Sequence, residues 1–225
     1  MSDDLHVPAP AVMPVDREAW RRDLNLSNFV NSYYQLRDVR GCDGARRVLV
    51  IGPGQGLDTA VLRWVGYEVT TFDIDSTFEP DVVGSVHDLS MFGDGQFDVV
   101  TASHVLEHMA IPYFDRALAE LARVARYAIV YLPIHGRQVQ LRLVPGVRNL
   151  DFSFVFDIFN WFRKPDGMTP QFMAGQHFWE VGLRGFRLRD VRRRLSKEFE
   201  IVKGYRNRDW PISQNFVLKS RRHAR

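Results

Sequence analysis

The stretch Arg47-Val48-Leu49-Val50-Ile51-Gly52-Pro53-Gly54-Gln55-Gly56-Leu57-Asp58 constrains this chain more than any other. An unbroken apolar run of strand length, without polar alternation, reads as a parallel strand covered on both faces. Glycines at alternate positions then stop it, and a segment of helical character runs from Asp58 to Trp64. Lacking Cβ atoms, such a turn bends sharply and lets backbone N–H groups at a helix N-terminus come close to a ligand. The spacing is Gly-x-Gly-x-Gly, not the Gly-x-Gly-x-x-Gly of dinucleotide sites, and no Gly-Lys-Ser/Thr comes after it to hold a triphosphate. Alone, the turn also suits other α/β proteins.

The next hundred residues narrow the choice. Tyr67 to Phe72 forms a second predicted strand that ends in Asp73, whose carboxylate would lie beside the glycine turn and accept hydrogen bonds from ribose hydroxyls. Asp81 to Val86 reads as a third strand, Phe97 to Thr101 as a fourth and Tyr127 to Leu132 as a fifth. Val105 to Met109 begins a helical turn, and a helix runs from Pro112 to about Arg126, with Ala117, Leu118, Leu121 and Val124 facing inward. Strands alternating with helices imply right-handed crossovers and a parallel sheet. Ligands of such sheets bind at the carboxyl ends of the strands, where Gly52–Gly56, Asp73, Val86 and Ser103 would converge.

In order, Val48 to Gly56, Phe72-Asp73-Ile74-Asp75, and Phe97 to Ser103 with His104-Val105-Leu106-Glu107-His108 resemble successive motifs of class I S-adenosylmethionine-dependent methyltransferases, in the type 11 variant. The resemblance spans roughly residues 45–133. It implies a doubly wound, seven-stranded, mostly parallel sheet of the Rossmann-like methyltransferase fold, with one antiparallel strand near the C-terminus. It also implies S-adenosylmethionine as cofactor. Gly52, Pro53, Gly54 and Gly56 would cradle its methionine part, Asp73 the ribose, Ile74, Ser85 and Val86 the adenine, and the backbone of Ser103 the methionine amino group. Val50 departs from the pattern, since the family usually carries an acid two residues before its first motif glycine. Neither an Asn/Asp-Pro-Pro-aromatic segment nor a Pro-Cys pair is present, which argues against methylation of DNA bases.

The implied reaction transfers a methyl group to a small or medium acceptor at oxygen or nitrogen. An acceptor that must lose a proton calls for a base near neutral pKa, for which histidine is suited. His104, directly after the fourth strand, is the first candidate, with His108 one turn on and His135 after the fifth strand as alternatives. A structural role competes with catalysis at each. Tyr34, His177 and Trp179 are candidate acceptor contacts, the last two from a Gln176-to-Gly182 segment that resembles one at the active-site mouth of some type 11-like enzymes. No metal ligand set is read from the sequence; the single cysteine, Cys42, leaves no thiolate cluster and no internal disulfide, which fits a cytoplasmic setting.

Charge is uneven. Residues 1–133 hold 11 Lys/Arg against 19 Asp/Glu, and residues 134–225 hold 19 against 8, for a net +3. The basic half leaves open an acidic or phosphate-bearing substrate, including RNA or a nucleotide-linked acceptor, beside a merely solvated helix face and basic tail. A non-catalytic cofactor-binding or scaffolding relative is a third reading. Residues 1–15 are expected to be a disordered lead-in and 16–225 a single domain, in which 134–180 forms an inserted lid or substrate-binding segment. The aromatic run 152–162 could cover the sheet edge, line an acceptor pocket, form a dimer contact or rest on a membrane. Asp16 to Arg40 is expected as one helix whose stripe of Trp20, Leu24, Leu26, Phe29, Val30, Tyr33, Tyr34 and Leu36 packs inward. Phe186 to Lys197 is expected as another helix, burying Leu188, Val191 and Leu195 and exposing arginines. Phe199–Val202 and Asn215–Leu218 are expected as the last two strands.

Overall fold

The computed structural model describes residues 17–136, 138–143, 152–157 and 177–223. Its strands in chain order are β1 (Arg47–Ile51), β2 (Glu68–Asp73), β3 (Val82–Val83), β4 (Phe97–Ser103), β5 (Ala125–Pro133), β6 (Gln138–Leu143), β7 (Phe152–Asp157), β8 (Phe199–Arg206) and β9 (Ser213–Ser220). Seven of them form one sheet in the order β3-β2-β1-β4-β5-β9-β8, and β6 pairs with β7 in a separate hairpin. From β3 through β5 every pairing is parallel, whereas β9 runs antiparallel to both β5 and β8. The expected sheet, with its one reversed strand, is what the chain forms.

Two-sided burial explains the apolar strands. On β1, Leu49 and Ile51 face one core while Val48 and Val50 face the other. The first core is closed by α4 (Ile111–Val124), through Phe114, Ala117, Leu118 and Leu121, and by α5 (Leu188–Glu198), through Val191 and Leu195. The second is closed by α2 (Leu26–Arg40), through Tyr34 and Val39, and by α3 (Leu57–Trp64), through Leu62. Helices on both faces of a mostly parallel sheet make three layers.

Several expectations shift. The first predicted helix is two: α1 (Arg17–Arg22) ends, and Asn25 starts α2 afresh. The Asn25 side chain accepts from the Ser27 N–H at 3.0 Å and the Asn28 side chain accepts from the Asn25 N–H at 2.8 Å, a reciprocal cap that competes with an unbroken helix. Its apolar stripe does not pack as expected: Leu24, Leu26, Phe29 and Tyr33 are exposed, and α2 instead buries Ser32, Gln35 and Asp38 beside Tyr34 and Val39. The polar side is buried because Asp38 accepts hydrogen bonds from Tyr131 and Tyr205 out of the sheet. β3 shrinks to two residues because the Asp81 carboxylate turns back to accept the Thr71 N–H and hydroxyl, both at 2.8 Å. The turn after β4 is a single 3-10 turn, Leu106–His108. Leu188, expected in the core, lies exposed on the first turn of α5. The expected lead-in 1–15, the segments 144–151 and 158–176, and the side chains of 152–157 lie outside the described residues.

Candidate active site

The strand order reverses between β1 and β4, and the glycine turn sits at that switch point. Gly52, Gly54 and Gly56 all have positive φ, at 67, 53 and 78°. At Gly52 a side chain is doubly excluded, since a Cβ would also stand 2.5 Å from Val105 Cγ2. That contact brings the glycine turn against the exit of β4. Gly56 occupies the N-cap of α3, so the amides of the first helical turn face the same rim. Asp73, at the tip of β2, accepts the Asp75 N–H through Oδ1 at 2.9 Å. Burial outweighs its hydrogen bonds and pushes its pKa up. Ile74 is half-buried, Val86 is buried, and the Ser85 hydroxyl bonds His87 Nδ1 at 2.7 Å.

Helix α2 crosses this rim. Asn31 accepts from the Ser103 hydroxyl at 3.1 Å, and Gln35 donates to Asp58 at 3.2 Å, tying the helix to β4 and to the start of α3. Asp58 has its pKa pushed up to about 6, because burial exceeds the help from Thr59 and Gln35. Val50 is wholly buried against Tyr34, Leu62 and Tyr131, so an acid at this family position would be stranded in an apolar core.

The candidate histidines gather around two buried glutamates. Glu107 and Glu180 are 0% and 5% exposed. His135 Nδ1 lies 3.0 Å from one Glu180 oxygen and His177 Nδ1 2.7 Å from the other. His104 Nδ1 lies 3.6 Å and His177 Nε2 4.0 Å from Glu107 Oε1, and the rings of His108 and His177 are 4.9 Å apart. Burial works to raise the Glu107 pKa, but the surrounding histidines outweigh it and hold the carboxyl below the usual range. For His177, burial works downward and is outweighed by the Glu180 hydrogen bond and both carboxylates, so its pKa rises.

His104, the first candidate for a base, has its Nε2 engaged at β9. Ser213 donates its hydroxyl proton to Asn215 Oδ1 at 2.7 Å, so at 3.1 Å it can only accept from His104 Nε2–H. Asn215 then donates to Tyr205, which donates to Asp38. His104 also has φ 55°, uncommon outside glycine, and its ring packs on Trp210 at 4.7 Å. This anchors the exit of β4.

Trp179, expected to touch acceptor, is a core residue instead. It is 1% exposed, packs between Phe114 and Phe186, and donates its indole N–H to Met109 O at 3.0 Å. Tyr34 is buried too, its hydroxyl donating to Asp209 at 2.7 Å. Among residues the motifs did not single out, Glu107, Glu180, Asp58 and Asn31 stand within this site. The spacing His-x-x-Glu-His at 104–108 was the available signal for the first of these, since it sets a carboxylate between two imidazoles on one tight turn.

The opposite, amino end of the sheet has a cleft lined by Gly44, Arg46, Arg47, Glu68, Asp98 and Arg126. Asp98 accepts the backbone N–H groups of Arg46 and Arg47 at 3.0 and 2.9 Å, and its carboxylate lies 3.4 Å from the guanidinium groups of Arg47 and Arg126. Ligands of such sheets bind at the other end. On α5, Arg193 pairs with Asp190 and Arg194 with Asp115, which fits a solvated helix face.

The three-layered sheet, its strand order and the glycine turn at the switch point define the class I methyltransferase fold. Residues 49–128 match the model of the type 11 methyltransferase domain. No curated protein matches the sequence. Among solved structures, it is similar to the N-methyltransferase NodS from Bradyrhizobium japonicum WM9, solved with S-adenosyl-L-homocysteine, at 12% identity and TM-score 0.57, covering 90% of this chain and 91% of that one. It is also similar to the PH0226 protein from Pyrococcus horikoshii OT3, at 15% identity and TM-score 0.56, with 89% and 93% covered. A third is the Burkholderia thailandensis 1,6-didemethyltoxoflavin-N1-methyltransferase, at 17% identity and TM-score 0.50, with 95% and 93% covered. At these identities the likeness is one of fold. Among the described residues no helix is long and apolar enough to cross a membrane.

Proposed function

We propose that this protein transfers the methyl group of S-adenosylmethionine to a small or medium nitrogen or oxygen acceptor. The observation that carries this is the convergence of the positive-φ glycine turn, Asp73 and the Ser85–Val86 edge at the β1/β4 switch point. The solved relatives bound to S-adenosyl-L-homocysteine support the cofactor, and the N-methyltransferases among them favour a nitrogen acceptor. Gly52–Gly56 holds the methionine part, Asp73 the ribose, Ile74, Ser85 and Val86 the adenine, and Ser103 the amino group. Asp58, on the first turn of α3, is placed to supply the negative charge that Val50 does not.

The chemistry asks mainly for alignment. When bound, S-adenosylmethionine would supply an electrophilic methyl group, and the residues of the rim would hold the acceptor lone pair in line with it and exclude water. An acceptor that carries a proton gives it up to a base. We assign that role to His135, which Glu180 orients through Nδ1 at 3.0 Å and which keeps part of its ring exposed. The β6–β7 hairpin is the described part of the lid we propose over the acceptor, and the single cysteine supports a cytoplasmic setting.

Hydrogen exchange with and without S-adenosylhomocysteine tests the reading. Protection is expected at 52–58, 73–75, 84–86 and 103–105. Protection confined to other segments, or none at saturating ligand, would refute it.

A further inference from the structure

Glu107 poses a problem that the methyl-transfer reading does not solve. It is wholly buried, and neither carboxylate oxygen has a hydrogen-bond partner among the described residues. An ionised carboxylate taken out of water costs several kcal/mol unless a cation or several donors answer it. The ring nitrogens His104 Nδ1 and His177 Nε2 stand 3.6 and 4.0 Å from Oε1, both beyond hydrogen-bond distance. One ligand atom each from Glu107, His108 and His177 lie within 4.8 Å of one another.

We propose that Glu107, His108 and His177 form a site for one divalent metal ion of the zinc type. Two imidazole nitrogens and one carboxylate oxygen suit Zn2+ and its neighbours in the first transition row, while Mg2+ and Ca2+ take oxygen ligands. Tetrahedral bonds of about 2.0–2.2 Å put ligand atoms roughly 3.3–3.6 Å apart, so side-chain rotation of about 1 Å closes the triad. Three protein ligands leave a position open.

The surroundings are those of a built site. His177 Nδ1 is held by Glu180 Oε1 at 2.7 Å, which directs Nε2 toward Glu107, the carboxylate–histidine arrangement that orients metal ligands. The backbones are locked together, because Phe178 N–H donates to Glu107 O at 2.8 Å and the Trp179 indole to Met109 O at 3.0 Å. Ligands from two distant parts of the chain are thus brought together by the core, which is why the sequence, read for cysteine clusters, suggested no metal. The site lies at the exit of β4, where the acceptor would enter, yet binding of the ion does not depend on the methyl-transfer reading.

The full chain, stripped with a chelator, is titrated with Zn2+ by calorimetry and with Co2+ by visible absorption. One equivalent is expected, with the intense Co2+ band of a four- or five-coordinate site. Glu180→Gln is expected to weaken binding roughly 10–100-fold, as loss of an outer carboxylate does, and Glu107→Gln and His177→Ala by more. His104→Ala keeps the stoichiometry. Asp73→Ala also keeps it while losing S-adenosylhomocysteine, so failure of one reading is distinct from failure of the other. Absence of binding, or equal binding by wild type, Glu107→Gln and His177→Ala, would overturn the proposal. If Glu107→Gln fails to fold, the His177→Ala comparison decides.

Discussion

Single residues set the chemistry at the rim, and three of them carry distinct expectations. Asp58 has a folded pKa of about 6 against an ordinary 3.8. A carboxyl raised in the folded state favours folding fully below its unfolded pKa, and that advantage is lost as pH rises through the folded value. Asp58→Asn is therefore expected to exceed wild type in stability by on the order of 2–3 kcal/mol at pH 8, with the gap closing as pH approaches 4, measured by urea unfolding. A constant gap across this range would place the cost elsewhere. Gly52→Ala meets both a positive φ and the Val105 side chain at 2.5 Å, so it is expected to cost about 1–3 kcal/mol and to weaken cofactor binding as well. Trp179→Ala removes a fully buried ring from the core and is expected to cost about 3–5 kcal/mol in chemical denaturation. A loss below about 1 kcal/mol would return Trp179 to the acceptor surface.

At the level of elements, the sequence was most informative where burial is two-sided. The runs at β1, β4 and β5 are apolar on both faces because both faces meet helices, and their positions are legible from the apolar runs alone. It was least informative where polar side chains decide the outcome. Asn25 splits the first helix through a cap, Asp81 cuts β3 short by bonding Thr71, and α2 turns a polar face inward toward Tyr131 and Tyr205. Hydrophobic periodicity carries no sign of such polar pairings. The site divides in the same way. Its glycine turn is written in one local motif, whereas Glu107, Glu180 and the histidines meet only through packing of the 177–181 segment on β5 and the turn after β4. The link between His104 and Ser213 is testable at this scale. Ser213→Ala should loosen the β4 exit and speed amide exchange at 103–105, and unchanged exchange would mean that φ at His104 is fixed by the backbone alone.

For the whole molecule, a doubly wound sheet gathers the glycine turn, Asp73 and a histidine–glutamate cluster at one end. The opposite end carries the cleft in which Asp98 pairs with Arg47 and Arg126. Calorimetric titration with S-adenosylhomocysteine, run side by side on the wild-type chain and on Asp73→Ala, tests this most directly. Loss of charge-assisted hydrogen bonds worth about 1.5–3 kcal/mol predicts one site in the wild type and an affinity roughly 10–100-fold weaker in the variant. No heat with the wild type, or the same affinity in both, would contradict it.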